Sequence, residues 1–190
     1  MELTDKTLML AVKAGDLDQF GVLFQSHHDA IFAFFYRMTA DASTSEDLTQ
    51  EVFIRMLKYR NTFGEDSDFR GWMYQIARNL RADHFRKRVP QAALLQEIQA
   101  DHPSPSQRLE QEERVAVLHR ALLALPEDRR ELLILARYEE MKYEQIASLL
   151  SIEVGAVKVR VHRALRELRE MFFKMSGEET ACDVKKPTAI

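Results

Sequence analysis

Apolar side chains recur at helical spacing along most of the chain, and two such stretches stand next to each other near its end. Between Tyr143 and Leu150 they follow the spacing i, i+3, i+4 and i+7, which places them on one face of a short helix. After a turn at residues 151–153, a longer apolar stripe runs from Val154 to Phe172. Two helices in this order predict a helix-turn-helix, although a plain amphipathic hairpin has the same apolar pattern.

The second helix of this pair carries basic side chains opposite its apolar stripe, among them Lys158, His162 and Arg163. The major groove of DNA admits one α-helix, and Lys or Arg on such a helix can reach base edges and phosphates. Val159 also points away from the core, which suits a thymine methyl group or a protein partner. Single exposed apolar residues are ordinary, so Val159 fits a functional or an incidental interpretation equally well.

The first half of the chain predicts helices over residues 5–14 and from 17 to about 38, followed by a third helix that Ser43 and Glu46 begin as a capping box. The third helix, EDLTQEVFIRMLKYR, has a core face around Leu48 and acidic residues on its outer side. Apolar residues extend beyond the width that one core needs. Two interpretations follow, a docking surface for another protein or a wide core stripe, and the pattern alone favours the core stripe.

The fourth helix, FRGWMYQIARNLRADHFRKR, alternates basic and aromatic residues opposite its apolar face. Unpaired bases stack on aromatic rings for about 1 to 3 kcal/mol each, while guanidinium groups follow the nucleic-acid backbone. Asn79 lies beside this stripe, where an amide can hydrogen-bond an unstacked base. The stripe indicates a single-stranded nucleic-acid surface, with a merely solvated basic face as the alternative. Its members are Arg70, Tyr74, Arg78, Arg81, Phe85 and Arg88.

Charge is segregated along the chain, although the formal net charge is only −3. Acidic residues outnumber basic ones up to residue 69, whereas residues 70–88 hold several arginines and a single acid, Asp83. Segregation of this kind indicates an acidic surface for a protein partner and a basic surface for phosphates.

The predicted fold class is all-α, with two small helical domains joined by a flexible linker. Pro90 ends the fourth helix, and the weakly patterned stretch after it is long enough to set the two domains well apart. The predicted segments are a first domain at 1–89, the linker at 90–106, a second domain at 107–174 with its helix-turn-helix at about 143–162, and a disordered tail at 175–190.

The composition, 46% apolar and 30% charged, is typical of a globular protein. The chain has no apolar run of membrane-spanning length and no signal-peptide pattern, so we expect a cytoplasmic protein without direct membrane insertion. Because Cys182 is the single cysteine, we expect neither an internal disulfide nor a multi-cysteine zinc site. The pattern also indicates no catalytic residues, no metal and no cofactor, and therefore no enzyme.

Two parts of the chain resemble the bacterial RNA polymerase sigma factors of the extracytoplasmic-function (ECF) group of the sigma-70 family. The first is DLTQEVFIRMLK followed by FRGWMYQIARNLRADHFRKR, and the second is LPEDRRELLILARYEEMKYEQIASLLSIEVGAVKVRVHRALREL. Together they extend the resemblance over nearly the whole chain. The resemblance implies that the first domain is sigma region 2 and the second is sigma region 4.

The resemblance also implies roles for the matching positions, and it favours the docking interpretation of the third helix. Docking on the β′ clamp of core polymerase is implied for Asp47, Leu48, Gln50, Glu51 and Phe53. Recognition and opening of the minus-ten element are assigned to Arg70, Tyr74, Arg78, Asn79, Arg81, Asp83, Arg86 and Arg88. Recognition of the minus-thirty-five element is assigned to Lys158, Val159, Arg160, His162, Arg163 and Arg166.

The chain departs from the family pattern inside the helix-turn-helix. Ser151 occupies the turn, where the family often has Gly, and Ala156 and Val159 stand where the family has Thr and Ser. These departures concern base contacts and not the fold. We hypothesise that Val159 replaces a polar contact to DNA with an apolar one.

The implied function is that of a sigma factor. Such a factor binds the β′ clamp and β subunits of core RNA polymerase, places the enzyme on promoter DNA and helps to open the duplex. The resemblance also implies an anti-sigma partner. The alternative is a helix-turn-helix regulator that binds duplex DNA without core polymerase, and dependence on core polymerase distinguishes the two.

Overall fold

The computed structural model describes residues 4–87 and 107–177, named here the first and the second unit, and all regular structure in them is helical. The predicted linker and residues 178–190 of the predicted tail lie outside the described residues. The elements in chain order are α1 (Asp5–Ala14), α2 (Asp18–Thr39), α3 (Ala42–Lys58), a 3₁₀ turn (Arg60–Thr62), α4 (Phe69–Lys87), α5 (Gln107–Ala124), α6 (Glu127–Leu133), a π-helical turn (Ile134–Tyr138), α7 (Tyr143–Leu150) and α8 (Val154–Ser176).

The predicted all-α class is confirmed, whereas the predicted start of α3 is wrong. The Asp41 side chain, and not Ser43, caps this helix by accepting a hydrogen bond of 2.9 Å from the backbone N–H of Thr44. Asp41 has extended backbone angles, as an N-cap residue requires, whereas Ser43 already lies within the helix. A carboxylate at this position also interacts favourably with the positive end of the helix dipole.

The first unit packs α1 to α4 around a core of aromatic and aliphatic side chains. Phe34 and Phe35 of α2 are fully buried, as is Met56 of α3. Met73 of α4 is fully buried in the same core. Burial of each such side chain stabilises the fold by about 1.5 to 3 kcal/mol, so the core holds α3 and α4 in fixed positions.

The second unit contains the predicted helix-turn-helix, formed by α7 and α8. Ile146 of α7 packs with Val157 and Val161 of α8, and all three are buried. Between the helices, Ser151 adopts a left-handed conformation with φ of 54°. This conformation favours Gly, because Gly has no Cβ. Ser151 therefore adopts it at some cost in backbone energy.

The two units lie directly against each other. Helix α4 contacts α7, and α2 contacts α5 and α6, so the buried side chains of both units form one continuous cluster. The predicted linker is long enough to separate the two units, and in this structure they are in contact.

Candidate polymerase and DNA interfaces

The predicted polymerase-binding residues divide into a surface group and a buried group on α3. Asp47 and Gln50 are exposed, and Glu51 is half-buried beside Arg55, whose Nε donates a hydrogen bond of 2.8 Å to the Glu51 carboxylate. Leu48 is buried in the core of the first unit. The surface group consists of residues that lie on one side of the helix, one turn apart.

Phe53 also belongs to the buried group, with only 3% of its surface exposed. Its ring lies against those of Phe24 and Phe20, with centroid distances of 4.8 and 6.1 Å. A side chain in this position packs α3 against α2 and cannot contact a polymerase subunit without rearrangement. Replacing Phe53 would therefore test stability before it tested docking.

Ile54 is absent from the predicted polymerase contacts, yet 58% of its surface is exposed. It follows Glu51 by three residues, Gln50 by four and Asp47 by seven, so the four side chains share one face. An interface commonly has an apolar centre with a polar rim, and this face has that arrangement on a small scale. The helical spacing of these positions is the signal that could have identified Ile54 from the sequence.

The predicted minus-ten residues follow α4, and four of the eight contact the second unit. Tyr74 is fully buried, Arg81 is 8% exposed, and Arg70 and Arg78 are half-buried. Burial of this part of the stripe excludes the merely solvated basic face as its description.

Nearer the end of α4 the stripe reaches the surface. Asn79 is exposed and accepts a hydrogen bond of 2.9 Å from Gln75, and Phe85 is 40% exposed. The Arg86 guanidinium lies 2.5 Å from the carboxylate of Asp83. Arg88 lies outside the described residues. The exposed and the buried parts of the stripe are therefore in different electrostatic surroundings.

Carboxylates of the second unit bind the buried part of the stripe. Arg78 Nε donates to Glu131 Oε1 at 2.9 Å, and Arg81 Nη2 lies 3.5 Å from the same oxygen. Arg81 also forms an ion pair with Glu127. Burial lowers the pKa of Arg81, an effect that the neighbouring Glu131 carboxylate opposes.

Glu139 is a further carboxylate at this interface, and only 6% of it is exposed. Its side chain accepts a hydrogen bond from the Tyr74 hydroxyl and lies 3.9 Å from Arg70 and 3.7 Å from Arg37 of α2. Burial raises the pKa of Glu139, while the Tyr74 hydrogen bond and the two guanidinium groups act in the opposite direction. Burial and the same carboxylate raise the pKa of Tyr74 well above its ordinary value, so the phenol stays protonated and donates.

The predicted minus-thirty-five residues lie on the outward side of α8. Val159 is 49% exposed, as its position in the pattern predicted, and 69% of the Arg166 side chain is exposed. The buried Val157 and Val161 hold the opposite face against the core. The exposed residues of this surface are Lys158, Val159, Arg160, His162, Arg163 and Arg166.

An open cleft of about 820 Å³ lies between this helix and the first unit. Its lining includes Arg160, Arg163 and Glu167 of α8, Glu131 of α6 and Arg78 of α4. Within the described residues, no group of three or more His, Cys, Asp or Glu side chains could hold a metal ion. In that same part of the chain, none of the helices is both long and apolar enough to cross a membrane.

Comparison with known proteins connects these surfaces to a family. The family model described as sigma-70 region 2 matches residues 23–90, and the model described as sigma-70, region 4 matches residues 108–168. The first match includes α3 and α4, and the second includes the helix-turn-helix.

Relatives of known name match over most of their length. The ECF RNA polymerase sigma factor SigW of Bacillus subtilis is 31% identical over 182 residues, with 90% of this chain and 97% of that protein covered. The RNA polymerase sigma-H factor of Pseudomonas aeruginosa is also 31% identical, with 84% and 89% covered. SigE of Mycolicibacterium smegmatis, another ECF sigma factor, is 32% identical, with 82% of this chain and 62% of that protein covered.

Solved structures agree in fold. The sigma factor RpoE from Bartonella quintana, solved in complex with the anti-sigma factor NepR, matches with a TM-score of 0.65 and 26% identity, covering 80% of this chain and 95% of that one. CnrH, solved in complex with the cytosolic domain of CnrY, matches with a TM-score of 0.70 and 24% identity, covering 90% and 97%. The chain belongs to the ECF RNA polymerase sigma factors.

Proposed function

We propose that this sigma factor places three separate helical surfaces on the transcription machinery, namely α3 on core polymerase, α4 on the minus-ten element and α8 on the minus-thirty-five element. The observation that carries the proposal is the outward face of α8, which presents arginines on a helix-turn-helix in a chain of this family. Its role as a sigma factor requires core RNA polymerase and promoter DNA as partners.

Core polymerase would bind the face of α3 that carries Asp47, Gln50, Glu51 and Ile54. The acidic groups provide charge complementarity with a basic partner surface, and Ile54 provides the apolar contact. Leu48 and Phe53 would act from the core by holding the helix in place. The β′ clamp is the subunit region that the family resemblance implies for this surface, with the β subunit as a further contact.

Promoter DNA would bind α4 and α8 in two different states. Helix α8 would enter the major groove of duplex DNA at the minus-thirty-five element, where arginines recognise base edges and phosphates. Helix α4 would hold the opened strand of the minus-ten element through its arginines and Asn79. Flipping a base costs a few kcal/mol, which stacking on aromatic rings can offset.

An anti-sigma protein is the further partner that the comparisons support. RpoE, whose fold this chain shares, was solved in complex with an anti-sigma factor. We infer that a protein of this class holds the present chain inactive until a signal releases it. The chain itself would act in the cytoplasm and carry out no covalent step, because recruitment and strand opening need only binding energy.

Transcription in vitro tests the proposal. Purified core polymerase is mixed with a pool of genomic promoter fragments, with and without the protein. Promoter-specific transcripts that depend on the protein are the expected result. Tight binding of duplex DNA by the protein alone, without any core-dependent initiation, would instead establish a helix-turn-helix regulator.

The α3 surface is tested in the same reactions by reversing one charge. Asp47→Arg should reduce core binding and transcription about tenfold, because it places a positive charge against the basic partner surface that the exposed acid would contact. Asp29→Arg is the matched control, since Asp29 is also an exposed acid and lies on α2. Equal decreases in the two variants would contradict the assignment of this face.

A further inference from the structure

We propose that the second unit keeps the free protein closed, because Glu131 and Glu139 occupy the arginines of α4 that would otherwise bind the minus-ten strand. The inference rests on the proposed function of α4. It adds that this sigma factor inhibits its own single-stranded DNA surface until the two units separate.

The arginine contacts show why the two states exclude each other. Arg78 directs its Nε to Glu131 Oε1 at 2.9 Å and its Nη1 to the backbone oxygen of Leu149 at 2.9 Å. Arg81 shares the Glu131 carboxylate and is 8% exposed. A guanidinium group has the same planar geometry toward carboxylate and phosphate, so these carboxylates take the place of DNA phosphates.

Glu139 occupies the other end of the stripe with both its side chain and its backbone. The Tyr74 hydroxyl and Arg70 contact its carboxylate, and Arg70 Nη2 also donates to the Glu139 backbone oxygen at 2.5 Å. The π-helical turn Ile134–Tyr138 ends directly before Glu139, and its wider backbone is closed by a bond from Glu139 N to Ile134 O. Turns of this type occur frequently at functional sites. Here the turn aims Glu139 at α4.

Further contacts between the units involve groups outside the basic stripe and close the same interface. Arg130 Nη1 donates to the backbone oxygen of Met38 at 2.6 Å, and the rings of Tyr36 and His119 stack with centroids 5.2 Å apart. Gln145 Nε2 donates to Asp68 Oδ2 at 3.0 Å. Because these groups and the arginines come from α2, α4, α5, α6 and α7, the interface is broad and not a single ion pair.

The energetic consequence follows from the population of the open state. If only a small fraction of the free chains is open, the apparent dissociation constant for single-stranded DNA rises by the inverse of that fraction. Any ligand that binds only the open chain, including polymerase or the promoter, shifts the population toward it. Closure would therefore keep the free factor off single-stranded nucleic acid.

The test removes the charges of Glu131 and Glu139 and measures binding of a fluorescein-labelled oligo(dT) of roughly 20 nucleotides by fluorescence anisotropy. Glu131→Gln with Glu139→Gln should bind at least about tenfold more tightly than the unmodified protein and show a larger radius of gyration by X-ray scattering. The matched control is Glu113→Gln with Glu144→Gln, which removes two exposed charges of the same unit. Arg78→Ala in the opened background should abolish most of the gain.

A cross-linked form tests the proposal in case the double Gln variant does not fold. Tyr36→Cys and His119→Cys, in a Cys182→Ser background, place two thiols across the interface between α2 and α5, away from α4. Joining them with a short bis-maleimide should reduce oligo(dT) binding and core-dependent transcription at least about tenfold. The two single-cysteine variants, treated in the same way, should keep both activities.

The outcomes separate this inference from the proposed function. Full transcription by the cross-linked protein, or equal oligo(dT) affinity of the opened and unmodified proteins, would overturn closure. Absence of any core-dependent transcript from the uncross-linked protein would instead contradict the proposed function, whatever the oligonucleotide measurements show.

Discussion

Helices α4 and α8 both carry rows of arginine at helical spacing, but the structure treats the two rows differently. On α8 the basic side chains point to solvent, and 69% of the Arg166 side chain is exposed. On α4, Arg70, Arg78 and Arg81 are half-buried or buried and bind Glu131 and Glu139, whereas Arg86 near the end of the helix is exposed. The comparison shows that a basic stripe indicates affinity for anions and does not identify which anion occupies it. In this chain, carboxylates of the second unit occupy one of the two stripes.

Unfolding the second unit should have the largest effect, and it should act in opposite directions on DNA binding by α8 and by α4. Val157→Asp puts an unpaired charge at a fully buried position, and we expect the free energy of unfolding of that unit to fall by more than about 3 kcal/mol. Promoter-dependent transcription should disappear, while oligo(dT) binding by the uncovered α4 should increase. Circular dichroism measures the unfolding, transcription in vitro measures the first effect and fluorescence anisotropy the second.

Val159→Asp is the matched control for that fall in stability, because the same substitution falls on a side chain that is 49% exposed. Its free energy of unfolding should change by no more than about 0.5 kcal/mol. If oligo(dT) binding weakened when the second unit unfolds, the second unit would not be covering a DNA-binding surface on α4.

Removing arginines from α8 alone should affect duplex DNA and leave single strands unaffected. Arg160→Ala with Arg163→Ala should weaken duplex promoter binding by about 1 to 3 kcal/mol for each arginine that recognises a base, and should reduce the salt dependence of binding. Arg137→Ala, at an exposed position of the same unit, serves as the control. Titrations at several salt concentrations measure both quantities. An equal weakening of oligo(dT) binding would mean that the two surfaces do not act separately.

A smaller change concerns which sequence α8 recognises. Val159→Ser restores the hydroxyl that the family often has at this position, and we expect the preferred bases of the minus-thirty-five element to change at one position. Each altered base preference corresponds to about 1 to 3 kcal/mol. Selection of binding sites from a random duplex library measures the preference. An unchanged preference would make Val159 an incidental exposed residue.

The smallest expected effect is on the turn between α7 and α8. Ser151→Gly relieves the left-handed backbone conformation with φ of 54°, and we expect the second unit to be more stable by about 0.5 to 1 kcal/mol. Ser148→Gly, at an exposed position inside α7, should instead destabilise it by a similar amount. Thermal unfolding followed by circular dichroism compares the two. DNA binding should stay the same, because the turn changes its energy and not its shape.

Most local features could be predicted because they depend on neighbours in the chain. The helix-turn-helix follows from the spacing of Ile146, Val157 and Val161, and the exposure of Val159 follows from the same periodicity. The N-cap of α3 could not be distinguished in this way, because Asp41 and Ser43 are both good capping residues and only the backbone angles select one.

The positions of functional residues relative to the surface depended on contacts between distant parts of the chain. Phe53 has the spacing of an outer residue in a wide stripe, but α2 brings Phe20 and Phe24 over it. Tyr74 has the spacing of an exposed aromatic residue, but Glu139, 65 residues later, accepts its hydrogen bond. Helical periodicity gives the direction of a side chain and contains no information on which distant residues will pack against it.

Residue type and short-range spacing were sufficient to predict the all-α class, the helix-turn-helix, the segregation of acidic and basic residues and the resemblance to ECF sigma factors. The packing of α4 against the second unit became visible only in the folded chain. That arrangement depends on contacts between residues far apart in the chain, such as Arg78 and Glu131, which are separated by 53 positions. A guanidinium group can bind a carboxylate or a phosphate, and the folded chain places a carboxylate beside it.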